Sequence, residues 1–239
     1  MDLHGARITW LGHGTFMFTT PAGKTILLDP WVQSNPACPE DKKQLGKLDA
    51  MLITHGHFDH IGDVLTVAAE SQPDQAVGIF EMASWLERKG VANTVGFNMG
   101  GTIEVAGIRV TMVRADHSCG ILEGDTMVEG GNPAGYVLDF GNDLRVYAAG
   151  DTNVFGDMSI IGALYKPQVA ILPIGDFYTM GPREAAYAAR LLGIETIIPA
   201  HFGTFPVLTG TPAGLRQALE SFGVSNVVVH DLQPGQTAE

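Results

Sequence analysis

Cysteine is nearly absent. Cys38 and Cys119 are the only two in 239 residues, and neither sits in a Cys-x-x-Cys. That excludes a disulfide framework and a thiolate zinc knuckle, and it suits a reducing compartment. Positive charge is also scarce: Lys and Arg total 14 against 26 Asp and Glu, a net charge of −12. A phosphate backbone would be repelled at long range, so nucleic acid is not an expected partner, although one phosphodiester held by metals stays open. No run approaches the roughly 20 apolar residues of a membrane span. The segment 1–7 lacks the apolar core of a signal peptide, so a cytoplasmic protein without a membrane partner is expected. No proline- or serine-rich linker divides the chain, and a single domain over 1–239 is the expectation. Nothing in the sequence bars a homo-oligomer.

What the chain does have is His55-Gly56-His57-Phe58-Asp59-His60, three of its eight histidines within six residues, directly after the apolar run 50–54. Burying so many imidazoles beside a carboxylate is costly without a charge to hold them, and a divalent cation fits. A spacing of two suits an extended segment rather than one helix face. His55 and His57 can then reach one metal while Asp59 and His60 reach a second.

Pattern reading predicts strands at 7–10, 16–19, 25–28, 50–54, 76–80, near 95, 102–105, 108–113, 136–140, 144–149, 169–173, 196–199 and 226–230. Helices are predicted over 60–71, 82–89, 158–165, 182–192 and 212–222. The run 118–133, with Gly120, Gly124, Gly130 and Gly131, reads as a structureless loop that forms a wall or lid of the pocket. Its Glu123, Asp125 and Glu129 would put negative potential beside the metals. Asp29, His55, His117, Asp151 and His201 each fall near the end of an apolar strand, where ligand sites of α/β folds collect.

These residues resemble the metallo-β-lactamase superfamily, whose signature is His-x-His-x-Asp-His. The flanking matches are Leu27-Leu28-Asp29-Pro30, Ala115-Asp116-His117-Ser118, Ala149-Gly150-Asp151-Thr152 and Pro199-Ala200-His201-Phe202, in family order. Trp10-Leu11-Gly12-His13-Gly14, Leu172-Pro173-Ile174-Gly175 and Thr179-Met180-Gly181-Pro182 are similar to a branch of small bacterial metal-dependent hydrolases related to the sugar-phosphate lactonases.

The resemblance implies an α/β fold, a four-layer αββα sandwich of two mixed β-sheets flanked by helices. It implies one metal on His55, His57 and His117, a second on Asp59, His60 and His201, and Asp151 bridging. Zinc is the expected ion, with manganese, nickel or iron compatible. A bridging hydroxide would attack an ester, lactone or phosphodiester of a small substrate. Asp59 and Asp151 are the expected catalytic carboxylates, Asp59 orienting the nucleophile or taking its proton rather than merely capping the next helix. His13 either lines the pocket or is an ordinary loop imidazole. Asp29 either braces a ligand from behind or serves a turn. Cys119, two residues beyond His117, is set aside because the ligand set is complete without it. The alternatives are a nuclease, an iron redox enzyme and a non-catalytic metal-binding protein.

Overall fold

The computed structural model describes residues 1–239. Strands β1 (Arg7–Trp10), β2 (Phe16–Thr19) and β3 (Thr25–Leu28) are rich in β-branched and aromatic residues and form an antiparallel meander. Strands β4 (Ala50–Leu52), β5 (Gln75–Ile79) and β6 (Thr94–Phe97) extend it in parallel. Parallel neighbours need crossovers. Helices α1 (Phe58–Ile61) and α2 (Val64–Ser71) supply the one after β4, and α3 (Phe80–Arg88) the one after β5.

Strands β7 (Thr102–Val105) and β8 (Ile108–Arg114) form a hairpin about Ala106 and Gly107, both at positive φ as a type I′ turn requires. Next come β9 (Gly120–Glu123), β10 (Thr126–Glu129), β11 (Ala134–Asp139) and β12 (Arg145–Ala148). Helix α4 (Met158–Tyr165), β13 (Val169–Pro173), α5 (Pro182–Leu192), β14 (Thr196–Ala200), α6 (Pro212–Ser221), β15 (Val228–Val229) and β16 (Thr237–Ala238) complete the chain. One seven-stranded sheet runs β16-β1-β2-β3-β4-β5-β6 and the other β15-β14-β13-β12-β11-β8-β7.

Side chains alternate across a strand, and here the alternation sets the layers. Tyr136, Leu138, Val169 and Ile171 join Phe16, Phe18, Met51 and Leu52 in the larger buried cluster, which contains residues of both sheets. Val137, Ala170, Leu172 and Ile197 point the other way, against Ala185, Ala186 and Ala189 of α5 and Leu215 and Leu219 of α6. The result is two mixed sheets flanked by helices, as the sequence led us to expect. No helix is long and apolar enough to cross a membrane.

Three elements differ from the pattern reading. The predicted 60–71 helix is two pieces, because the backbone leaves the helical conformation at Asp63 (φ −111°, ψ 8°); Gly62 before it has no room for a β-carbon, which would lie 2.5 Å from the Phe58 carbonyl oxygen and 2.9 Å from Trp31. Asp63 then accepts the backbone N–H groups of Val32 (2.6 Å) and Ser34 (2.9 Å), fixing the chain beyond β3. The run 118–133 is not structureless: β9 and β10 pair as an antiparallel ribbon outside both sheets. Strand β16, only two residues long, gives too short a pattern to read.

Candidate metal centre

The imidazoles and carboxylates converge where strands of both sheets end. Asp29 directly follows β3 and His201 directly follows β14, while His55, His117 and Asp151 come shortly after β4, β8 and β12. His13 lies in the turn between β1 and β2. His13, Asp29 and His201 adopt φ of 56°, 50° and 54°. Asp and His tolerate this region better than most side chains, and conformations of this kind concentrate at functional sites.

Hydrogen bonds behind the cluster set which ring nitrogen faces in. Asp29 accepts the Thr54 backbone N–H (2.8 Å), the Thr54 hydroxyl (2.7 Å) and His60 Nδ1 (2.7 Å). Having donated to Asp29, the Thr54 hydroxyl is free to accept from His55 Nδ1 at 3.0 Å. His55 and His60 therefore present Nε2 to the interior. His57 does the reverse: Ser118 Oγ lies 3.2 Å from its Nε2, and its Nδ1 lies 3.0 Å from His55 Nε2 and 3.3 Å from His117 Nε2. Ligand nitrogens around a tetrahedral zinc at about 2.0–2.1 Å lie about 3.3 Å apart, which matches this triad.

Asp151 is the hub. Its Oδ2 lies 3.0 Å from His201 Nε2, 3.7 Å from His117 Nε2 and 3.9 Å from His55 Nε2, and its Oδ1 lies 3.2 Å from His60 Nε2. Although close, His60 Nε2 and both nitrogens of His201 are buried without an aligned hydrogen-bond partner. The two Nε2 atoms both face the Asp151 carboxylate, where an ion would satisfy them. His13 and Asp29 also belong to close groups with these residues, but their polar atoms are already engaged. His13 Nε2 bonds Asp59 Oδ2 (3.0 Å) and its Nδ1 bonds Thr204 Oγ1 (3.0 Å).

The charges lead to the same conclusion. Burial outweighs the Asp59 bond and pushes His13 down to about 4; a neutral His13 must donate from Nε2 to the carboxylate and accept from Thr204. Burial also holds His55 well below its ordinary value. Burial would raise the Asp151 carboxyl, but His201 and His60 overcome it and hold it well below the usual range. Burial opposes charge on His60 and His201 too, yet Asp151 wins, raising His60 strongly and His201 to about 9. Buried carboxylates here demand compensating positive charge, which protons supply when no metal does. The donor set, imidazole and carboxylate, suits zinc or another borderline divalent ion.

A sequence profile for the beta-lactamase superfamily domain matches residues 24–202. A UPF0173 metal-dependent hydrolase of Koribacter versatilis is 57% identical over 237 residues, covering 99% of each chain. Another, from Methanopyrus kandleri, is 43% identical and covers 98% of this chain and 99% of its own. The chain belongs to the UPF0173 metal-dependent hydrolases. Among solved structures, Igni18, a metallo hydrolase from Ignicoccus hospitalis, is 35% identical to this UPF0173 chain, with a TM-score of 0.84 and coverage of 98% and 97%.

The hydrolase opens onto its imidazoles through a cleft of about 820 Å³, with His57, Asp59, His117 and Asp151 among its lining residues. His13 is wholly buried and does not border it, so a pocket-lining role is corrected to support of Asp59 from behind. Asp59 is not a helix cap either, since α1 has no side-chain cap bond. The expected acidic rim is likewise absent. Glu123 pairs with Lys89 at 2.7 Å and accepts from Trp85, and none of Glu123, Asp125 and Glu129 lines the cleft. Leu122 and Met127 do, and they are direct cross-strand partners on the β9–β10 ribbon. Cys119 donates to the Gly130 carbonyl at 3.2 Å, and burial pushes its thiol up to about 11, the opposite of a thiolate ligand. Sequence reasoning missed Thr54, Ser118 and Thr204. The first two adjoin His55 and His117, so a hydroxyl beside a ligand was the available signal.

Proposed function

We propose that this metal-dependent hydrolase works with two divalent ions, zinc first among the candidates. His55, His57 and His117 would hold one, Asp59, His60 and His201 the other, with Asp151 shared. The carrying observation is the Asp151 carboxylate, within 4 Å of imidazoles from both groups. When bound, such a pair supplies Lewis acidity and a water of lowered pKa. The chain's own residues do the rest. Asp29 and Thr54 fix the tautomers and orientation of His55 and His60, and His13 holds Asp59 ionised at the cleft floor. There Asp59 is placed to orient an attacking water or accept its proton.

The reaction class is hydrolysis of an ester, lactone or phosphodiester in a small molecule. No Lys or Arg lines the cleft, whereas a nucleic-acid backbone needs cations along its path, which favours a small substrate over a polynucleotide. The test is elemental analysis and calorimetric titration of protein reconstituted with zinc, alongside Asp151→Ala. The expected result is two equivalents in the native protein and loss of at least one in the variant. A native stoichiometry of one after reconstitution would overturn the dinuclear reading.

A further inference from the structure

The rim of the cleft carries a chemical preference that its floor does not. Phe58, Leu122, Met127, Phe177, Tyr178 and Val207 line it while remaining largely exposed, Phe177 at 68% and Met127 at 64%. Apolar side chains this large, grouped around a polar floor, mark a binding surface rather than scattered exposure. They come from separate segments: the start of α1, the β9–β10 ribbon, the β13–α5 loop and the β14–α6 loop.

One of these segments is held in an uncommon backbone conformation. Asp176 and Phe177 adopt φ of 66° and 59° in succession, and positive φ is a genuine outlier for a bulky aromatic. The Asp176 carboxylate accepts the Phe177 N–H (2.8 Å), its carbonyl accepts the Tyr178 N–H (2.6 Å), and its N–H donates to Met180 (3.0 Å). This turn sets both aromatics at the cleft.

We infer that the substrate is a small molecule whose portion beyond the reacting group is uncharged and apolar and packs on this rim, rather than one that carries a phosphate or carboxylate there. Charge argues the same way. Apart from the Tyr178 phenol, the ionisable groups on the cleft lining are the imidazoles of His57 and His117 and the carboxylates Asp59 and Asp151, with no Lys or Arg, so a distal anion would find no cation beyond the metals. This inference rests on the hydrolase reading above, and the test separates the two.

Zinc-loaded protein is assayed with 4-nitrophenyl acetate, butanoate and hexanoate, and with the hexanoate bearing a phosphate on its distal carbon. In parallel, calorimetry measures binding of the unreactive N-(4-nitrophenyl)hexanamide and its distal phosphate. Expected is a rise in kcat/KM of up to about fourfold per methylene that reaches the rim, cancelled by the phosphate. Leu122→Lys should invert that preference with metal content unchanged. Phe177→Gly should lower kcat/KM for the hexanoate while holding or raising Tm, because glycine relieves the positive φ; a merely structural Phe177 would lower Tm. Tighter binding of the neutral amide without turnover of any ester would retain this inference and discard the ester-hydrolysis reading. Equal or better use of the phosphorylated ester, no chain-length dependence, no binding of either amide, or self-association abolished by Leu122→Lys would each overturn it.

Discussion

The Asp29 carboxylate accepts the Nδ1 hydrogen of His60 at 2.7 Å, and both residues are buried. That bond leaves Nε2 as the only nitrogen with which His60 can meet a metal. Asp29→Asn keeps the volume but removes the anionic acceptor. Metal affinity at the His60 site should fall by about 10–100-fold, read by competition with a chromogenic chelator. An unchanged affinity would reduce Asp29 to a turn residue.

His13 acts on Asp59 from a place no substrate reaches. His13→Ala should weaken metal held by Asp59 and His201 while leaving the His55–His57–His117 group loaded. His13→Gln should restore part of the loss, since its amide can donate to Asp59. If alanine lowers Tm while both metals bind and kcat is retained, His13 is only a packing residue.

Gly14 is a matter of space. A β-carbon there would lie 2.5 Å from His60 Cε1, against a ring pinned by Asp29. Gly14→Ala should therefore cost metal affinity and activity together. Its measurement is spectroscopic titration with cobalt, whose absorption reports ligand geometry. A cobalt spectrum identical to the native one would show that the ring can move aside.

Chelation should destabilise the fold, because removing ions leaves buried imidazole nitrogens and carboxylates facing one another. At metal concentrations about a thousandfold above Kd, binding adds about 4 kcal/mol. For a chain of this size that corresponds to a fall in Tm of about 8–16 °C on full removal, followed by scanning calorimetry with and without chelator. A metal-free protein of equal Tm would contradict it.

Much of the site was legible because its residues are chemically expensive to bury and stand at strand ends. Short runs of β-formers and apolar residues located β1, β2, β3 and β13, and Pro182 marked the start of α5. What sequence could not show depends on where side chains aim. Glu123 reads as acidic rim until its bond to Lys89 turns it outward. Leu122 and Met127 read as loop residues because four glycines punctuate the run 118–133, and their two strands pair only with each other, outside both sheets. His13 stayed open between pocket lining and an ordinary loop imidazole because nothing local reveals that Thr204, far along the chain, holds its other nitrogen.

His55, His57, Asp59 and His60 hang from one sheet, and His117, Asp151 and His201 from the other. The centre thus lies on a seam, and no contiguous fragment restricted to one sheet can assemble it. Metal uptake is consequently a chemical report that the two halves have docked, in the way a clasp reports a closed bracelet. A chain severed between β6 and β7 would regain bound metal only when its fragments found each other.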